Sequence, residues 1–420
     1  MPRHSTTKVP SATAMLAVLT LAVALMLAGA PARVIASDQA EGLPTPDDVV
    51  ATVKAATGYA LRTQNADGSW GGFQNPAVGI DDFWSNIETH RAWTIATTGL
   101  VCMAILDMTP TAETDAAYER GIDYLLEQGI VKRPSDWDTD NTWAYVYGVH
   151  AFARAVADGR FKGTERHDKL VSLGQQLIDH LFTYQTPSGG WGYYDFDAVA
   201  RRPAWATSFM TAAAVIGLIE ARDAGFRIDE KGLAAAVRAV ERCKLPNGAY
   251  SYSVMAIPHT GRLTGINQIK GSLSRIQVCN VALLMAGKEI TVETLRTGLD
   301  RFFEHHRFLD VARKKPMPHE AYYANSGYFY FFGHFYAGMV IQRLPVEDRA
   351  RYWPRLQHHI VKTQEKDGSM WDYYMNSYHR PYGVAFSIMA LRASLSTDVP
   401  PERTDDATLV APTGDEGAAP

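Results

Sequence analysis

The sequence predicts an all-α fold: six helical hairpins closed into an inner ring of six helices inside an outer ring of six. Two observations carry this expectation. A short phrase recurs along the chain at multiples of about sixty residues, the mark of a repeat architecture. Between its copies, amphipathic helical segments alternate with segments that are apolar nearly all round, and no credible run of strand-like alternation interrupts them.

The phrase appears as Gln64 to Trp70, with Asp67-Gly68-Ser69 before the Trp, and as Gln185 to Trp191, with Gly189-Gly190. It returns degraded as Lys244 to Tyr250, and again as Gln364 to Trp371, with its Trp one place late. Two gaps are twice the third, so two further copies are expected near Gln128 and His305. Asp-Gly forms the turn because Gly takes positive φ cheaply. The Gln amide can satisfy open carbonyls at a helix end. The Trp can cover the hairpin corner and donate its N–H. These are structural roles, and none of these residues is read as catalytic.

The outer helices are expected over Asp47–Thr63, Thr114–Gln128, Asp168–Tyr184, Asp229–Cys243, Val292–His305 and Val346–Thr363. The inner helices are expected over Thr89–Met108, Asn141–Ala157, Trp205–Ala224, Leu273–Gly287, Gly327–Leu344 and Tyr382–Ser394. An amphipathic helix lies on the surface, and one that is apolar on every face belongs inside.

The chain ends are set apart from this body. Residues 1–36 read as a signal peptide: Arg3, His4 and Lys8 form a basic start, Met15 to Ala28 is apolar, and Val34-Ile35-Ala36 suits cleavage after Ala36. Export to the periplasm or the extracellular space follows, with no stable membrane insertion after cleavage; the alternative is an uncleaved N-terminal anchor. Residues 37–45 are a linker, 46–396 the helical domain, and 397–420 a disordered acidic tail too poor in apolar residues to order itself.

Composition narrows the function. The 420 residues are 46% hydrophobic and 20% charged, with a net charge of −4, ample for a core and without the basic excess that nucleic-acid binding needs. Three cysteines are too few for a disulfide framework or a structural zinc site.

The Gln-x-x-x-Gly-x-Trp phrase resembles the repeat of squalene and oxidosqualene cyclases, and the hairpins resemble those of protein prenyltransferase β subunits. Both belong to the terpenoid cyclase/protein prenyltransferase superfamily of (α/α)6 toroids. The stretch Gly327 to Ala337 is similar to that of exported bacterial prenyltransferase/squalene-oxidase-repeat proteins. The resemblance covers residues 46–396 and implies the fold more specifically than an activity. Triterpene cyclases carry an Asp-x-Asp-Asp acid motif. Its match here, Asp138-Thr139-Asp140-Asn141, would make Asp140 the proton donor, but ends in Asn. Asp138, Asp140 and Asn141 read more simply as capping residues at the start of an inner helix. The prenyltransferase zinc site is not matched, since neither Cys102, Cys243 nor Cys279 has an Asp two residues before it. No metal and no cofactor is expected.

Inner helices running in parallel share one mouth at their N-termini. Ligand-binding candidates there are His90, Asp138, Trp143, Tyr147, His319, Tyr322, Tyr330 and Tyr382. Catalytic candidates are Asp140, through the resemblance to the acid motif, and Arg275 and His334, because polar groups on an inner helix are costly unless paired or facing a cavity. The doublets His305-His306 and His358-His359 sit on outer helices and read as surface residues rather than metal ligands.

Three functions remain open. The first is a toroid that binds an extended lipid, an isoprenoid or a glycan in its centre. The second is an enzyme, either cyclase-like through Asp140 or acting on acidic polysaccharide with Arg275 holding a carboxylate and His334 or His319 moving a proton. Helical toroids house glycan lyases and hydrolases, an analogy of fold alone. The third is a structural module that meets a protein partner on its outer surface.

Overall fold

A computed structural model describes residues 42–72, 87–131, 142–194, 203–254 and 265–396. Of the first unit, Met1–Leu43, only Gly42 and Leu43 are described, and both are exposed. The helical unit runs from Pro44. Its α-helices are α1 (Pro46–Arg62), α2 (Ile87–Leu106), α3 (Ala112–Gln128), α4 (Thr142–Asp158), α5 (Glu165–Thr183), α6 (Ser208–Asp223) and α7 (Glu230–Arg242). They continue with α8 (Leu273–Met285), α9 (Val292–Glu304), the short α10 (Arg307–Ala312), α11 (Phe329–Gln342), α12 (Val346–Val361) and α13 (His379–Leu395). The twelve long helices match the expected segments to within a few residues. Among the described residues there is no strand beyond isolated bridges, and no helix long and apolar enough to cross a membrane.

The packing order gives the architecture. Helix α2 packs on α4, α4 on α6, α6 on α8, α8 on α11, α11 on α13, and α13 returns to α2, which closes an inner circle of six. Outside it, α3 lies on α2, α5 on α4, α7 on α6, α9 on α8 and α12 on α11. The first helix, α1, lies on the last, α13. Each of the first five inner helices packs more closely on the outer helix that follows it than on the one before it. Connections from inner to outer helices are short, while those from outer to inner helices are long.

Burial follows the two helix types. In α6 nearly every residue from Ser208 to Ile219 is buried, whereas α5 buries only the stripe Leu170, Gly174, Leu177, Ile178 and Leu181. Five of the six outer helices begin at a side chain that accepts a backbone N–H: Thr45, Thr111, Thr164, Asp229 and Thr291. The inner helices α6, α8, α11 and α13 have no such side-chain cap.

The repeated phrase locks neighbouring outer helices together. Gln64 Nε2 donates to the Ala117 carbonyl of α3 at 2.8 Å, Gln185 Nε2 to Gly232 of α7 at 2.8 Å, and Gln364 Nε2 to Thr52 of α1 at 2.8 Å. Trp70 and Trp191 are fully buried and donate their ring N–H back to Ala60 and Leu181, each at 2.7 Å. Gly189 has φ +92°, and a Cβ there would lie 2.6 Å from the Ala235 carbonyl oxygen of the next outer helix. In the last copy Met370 is fully buried in register with Trp70, and the displaced Trp371 receives the Lys314 ammonium 4.3 Å from its ring.

Candidate functional site

Five of the six inner helices, with loops that enter them, line a cavity of about 330 Å³. Helix α2 presents Trp93, Ala96, Thr97 and Leu100, a run at helical spacing along one face. The same spacing places Trp143 with Tyr147 on α4, Phe329 with Phe332 on α11, and Tyr382 with Phe386 on α13. Phe209 comes from α6, and loops add Tyr193, Tyr194, Pro318, His319, Tyr328, Tyr373 and Met375. Twelve of these eighteen residues are Phe, Tyr or Trp. None of the described lining residues is Asp, Glu, Lys or Arg.

The rings hold one another in place. Trp143 and Tyr147 stack with their planes 3° apart and centroids at 5.5 Å. Phe209 meets Phe329 edge-on at 5.1 Å and Phe332 at 5.9 Å. Tyr147 and Phe386 close the opposite side at 5.9 Å. Each such pair adds about 0.5–1.5 kcal/mol beyond the area it buries.

Two polar corners interrupt this wall. At the first, His319 stands at φ +62° with Nδ1 2.8 Å from the Ala324 carbonyl. A carbonyl only accepts, so Nδ1 carries the proton, and Nε2 of the neutral ring accepts from the Tyr328 hydroxyl at 2.9 Å. The Tyr252 hydroxyl lies 3.3 Å from the same nitrogen and 2.8 Å from the Tyr193 hydroxyl. Burial lowers the His319 pKa and keeps the ring neutral. At the second corner, Tyr382 donates its hydroxyl to Asp372 Oδ1 at 2.6 Å, and the Phe331 N–H donates to Oδ2 at 3.1 Å. Asp372 is fully buried, and burial pushes its pKa up to about 7 despite these donors.

The structure brings together Trp143, Tyr147, His319 and Tyr382 from the predicted set. His90 stands just behind the wall, edge-on to Trp93 at 5.3 Å and 3.2 Å from the Tyr378 hydroxyl. Asp138 and Asp140 lie outside the described residues. The other four belong elsewhere. Arg275 is buried behind the wall, donating to the carbonyls of Tyr250 and Ile266, with its guanidinium 5.4 Å from the Tyr252 ring and 5.8 Å from Phe329. Burial lowers its pKa to about 10. Tyr322 is 70% exposed and does not line the cavity. Tyr330 and His334 are buried but turn toward the outer layer, where they meet Asp310 and His306. His306 and His359 are themselves buried, at 2% and 6% exposure, which corrects their reading as surface residues.

Sequence reasoning missed Trp93, Phe209, Phe329, Phe332 and Phe386. Their only signal is aromatic spacing along the inner helices. It also missed Asp372, which sits just past the last repeat phrase.

No family model matches the chain, and no curated protein matches it. Solved structures do. It is similar to a D-mannose isomerase at 12% identity, over 87% of this chain and 99% of that one, with a TM-score of 0.53. It is similar to the type II terpene cyclase MstE from Scytonema at 14% identity, over 83% and 99%, with a TM-score of 0.47. A possible member of the GH105 family from Klebsiella pneumoniae subsp. pneumoniae MGH 78578 matches at 13% identity, over 85% and 95%, with a TM-score of 0.49. The chain has the α/α-toroid fold.

Proposed function

We propose that this chain is an exported binding protein that holds an extended, uncharged isoprenoid or lipid in its central cavity. The observation that carries this reading is the lining: twelve aromatic rings, two polar corners and no charged side chain among the described lining residues. A volume of 330 Å³ is near the lower end of the roughly 300–1,000 Å³ of small-molecule sites. Each CH₂ group moved from water into such a wall contributes about 0.8 kcal/mol, so affinity comes from chain length rather than from a charged headgroup. The His319–Tyr328–Tyr252–Tyr193 network and the Tyr382–Asp372 pair give a hydroxyl or carbonyl at one end of the ligand something to bond. An acidic glycan would need a cation at the cavity surface, and Arg275 stands behind Phe329 and Tyr252.

The test is equilibrium binding followed by tryptophan fluorescence, since Trp93 and Trp143 both line the cavity. Polyprenyl alcohols should quench the emission and raise the melting temperature, and uronate oligosaccharides should do neither. Trp143→Ala should weaken polyprenyl binding with the helical melt retained. Binding of uronates alone, or polyprenyl binding unaffected by Trp143→Ala, would overturn the reading. Export is tested separately, by sequencing the N-terminus of the secreted protein, with Ser37 expected first.

A further inference from the structure

We infer that the cleft between the Lys244–Tyr250 phrase and α9 is a second binding site, in the outer layer and separate from the aromatic cavity, and that it takes a small organic carboxylate. Its volume is about 260 Å³.

Comparison of the repeat phrases shows why the cleft is there. In three of them a Gln amide donates to a carbonyl of the adjoining outer helix, at Ala117, Gly232 or Thr52. Three residues further along that helix, the carbonyl of Arg120, Ala235 or Ala55 lies against the phrase glycine. A Cβ at Gly68, Gly189 or Gly368 would clash with it. The Lys244–Tyr250 phrase has Lys in place of the Gln and Tyr in place of the Trp. The matching carbonyl, that of Gly298, accepts instead from Gln277 Nε2 of α8 at 3.0 Å. At the matching glycine, Gly248, the three atoms nearest a Cβ all belong to the Arg301 guanidinium rather than to main chain. Helix α9 stands off this loop, and the gap is the cleft.

Its walls offer donors that lack acceptors. Asn280 of α8 lines the cleft and is 2% exposed. Its Oδ1 accepts from the Tyr250 hydroxyl at 2.8 Å, while its Nδ2 has no acceptor among the described residues. Turning the amide over would strand the hydrogen of the Tyr250 hydroxyl, which has no other acceptor there. Nδ2 lies toward α9, 3.2 Å from where a Cβ on Gly298 would stand. A buried donor left in this state is costly until a ligand meets it. Lys244 lines the exposed side, and its ammonium has no partner among the described residues. Arg301 spends one N–H on the Asn247 carbonyl at 2.9 Å and keeps the rest of its fork. Glu293, the acid among the described lining residues, is occupied by the Thr297 hydroxyl at 3.4 Å and by Arg296 at 3.8 Å.

A carboxylate answers all three donors. One oxygen accepts from the buried amide, and the charge is met by Lys244 and Arg301. The volume is just below the roughly 300–1,000 Å³ of ordinary small-molecule sites, which limits the ligand to a few carbon atoms.

The experiment titrates the untagged full chain with succinate and with citrate by calorimetry at low salt, with inorganic phosphate as the competing oxyanion. One equivalent of a carboxylate is expected, with affinity that falls as salt is added. Asn280→Asp keeps an acceptor for the Tyr250 hydroxyl, replaces the donor with a carboxylate oxygen, and should weaken binding at least tenfold. Lys244→Gln restores the residue that the other phrases carry and should weaken binding about threefold or more. Lys288→Gln removes an exposed lysine outside the cleft and should bind as the parent does. Circular dichroism confirms each fold, and the exposed Lys244 position reads the site even where Asn280→Asp does not fold. The proposal is overturned if the folded parent takes up neither carboxylate at about 10 mM, if phosphate binds and the carboxylates do not, or if affinity is unchanged in Lys244→Gln.

Discussion

Asp372 offers a measurement in which the sign is fixed before the experiment. Its carboxyl is fully buried and its pKa is raised to about 7 in the folded chain, against an ordinary value of 3.8. A group whose folded pKa lies above its unfolded one favours folding most below the unfolded value. That contribution fades as pH rises and is gone above the folded pKa. Between about pH 4 and pH 7 the wild type should therefore lose stability from this residue. The difference of about three units corresponds to about 4 kcal/mol at most, at ~1.4 kcal/mol per unit. Asp372→Asn fits the same contacts, because its carbonyl can accept the Phe331 N–H and its amide can donate to the Tyr382 hydroxyl. The variant cannot ionise. Urea denaturation of both proteins at pH 5 and pH 8 isolates the effect, because every other titrating group is common to the two. The variant should gain on the wild type by about 2–4 kcal/mol between those pH values. A difference that stays constant across this range would refute the assignment of a perturbed carboxyl to Asp372.

Three further outcomes follow from the packing. Gly189→Ala forces a left-handed backbone on a residue with a Cβ and drives that atom against the Ala235 carbonyl, so it should cost about 2–4 kcal/mol, read from the melting temperature. Gln364→Ala removes the bond to Thr52 and should cost about 1–3 kcal/mol, with faster hydrogen exchange concentrated in α1 if the loss is local. Cys102, Cys243 and Cys279 are all buried, and burial raises each thiol, so a thiol reagent should react only as fast as the protein unfolds.

The helices were readable because repetition multiplied a weak local signal. The phrases at Gln64, Gln185 and Gln364 locate three hairpin corners without reference to any one helix, and α1, α3, α5 and α9 start within three residues of the expected positions. The cavity was harder for a physical reason. An inner helix such as α2 or α6 is apolar on every face, so periodicity carries no information about which residues look inward and which pack outward. Trp143 and Tyr147 were found because both are polar aromatics on such a helix; Phe209 and Phe332 offered no contrast with their neighbours. Adjacent residues on a helix point about 100° apart, and this defeats any reading of a doublet such as His358-His359 as a unit. His359 turns inward against His306 while His358 does not. Arg275 and His334 were rightly singled out as polar groups on inner helices, but each is satisfied on the side facing away from the cavity.

The pairing of α1 with α13 has a consequence for the order of events as the chain is made. Tyr382 and Phe386, two of the cavity's walls, stand on the last helix to be synthesised, and that helix is backed by the first. Until α13 has emerged, α1 has no inner helix to cover and the aromatic wall lacks Tyr382 and Phe386. A shortened product that ends before residue 379 therefore carries sixteen of the eighteen lining residues but lacks the side of the wall that α13 supplies. Closure of the aromatic wall therefore waits for α13, the last of the described helices.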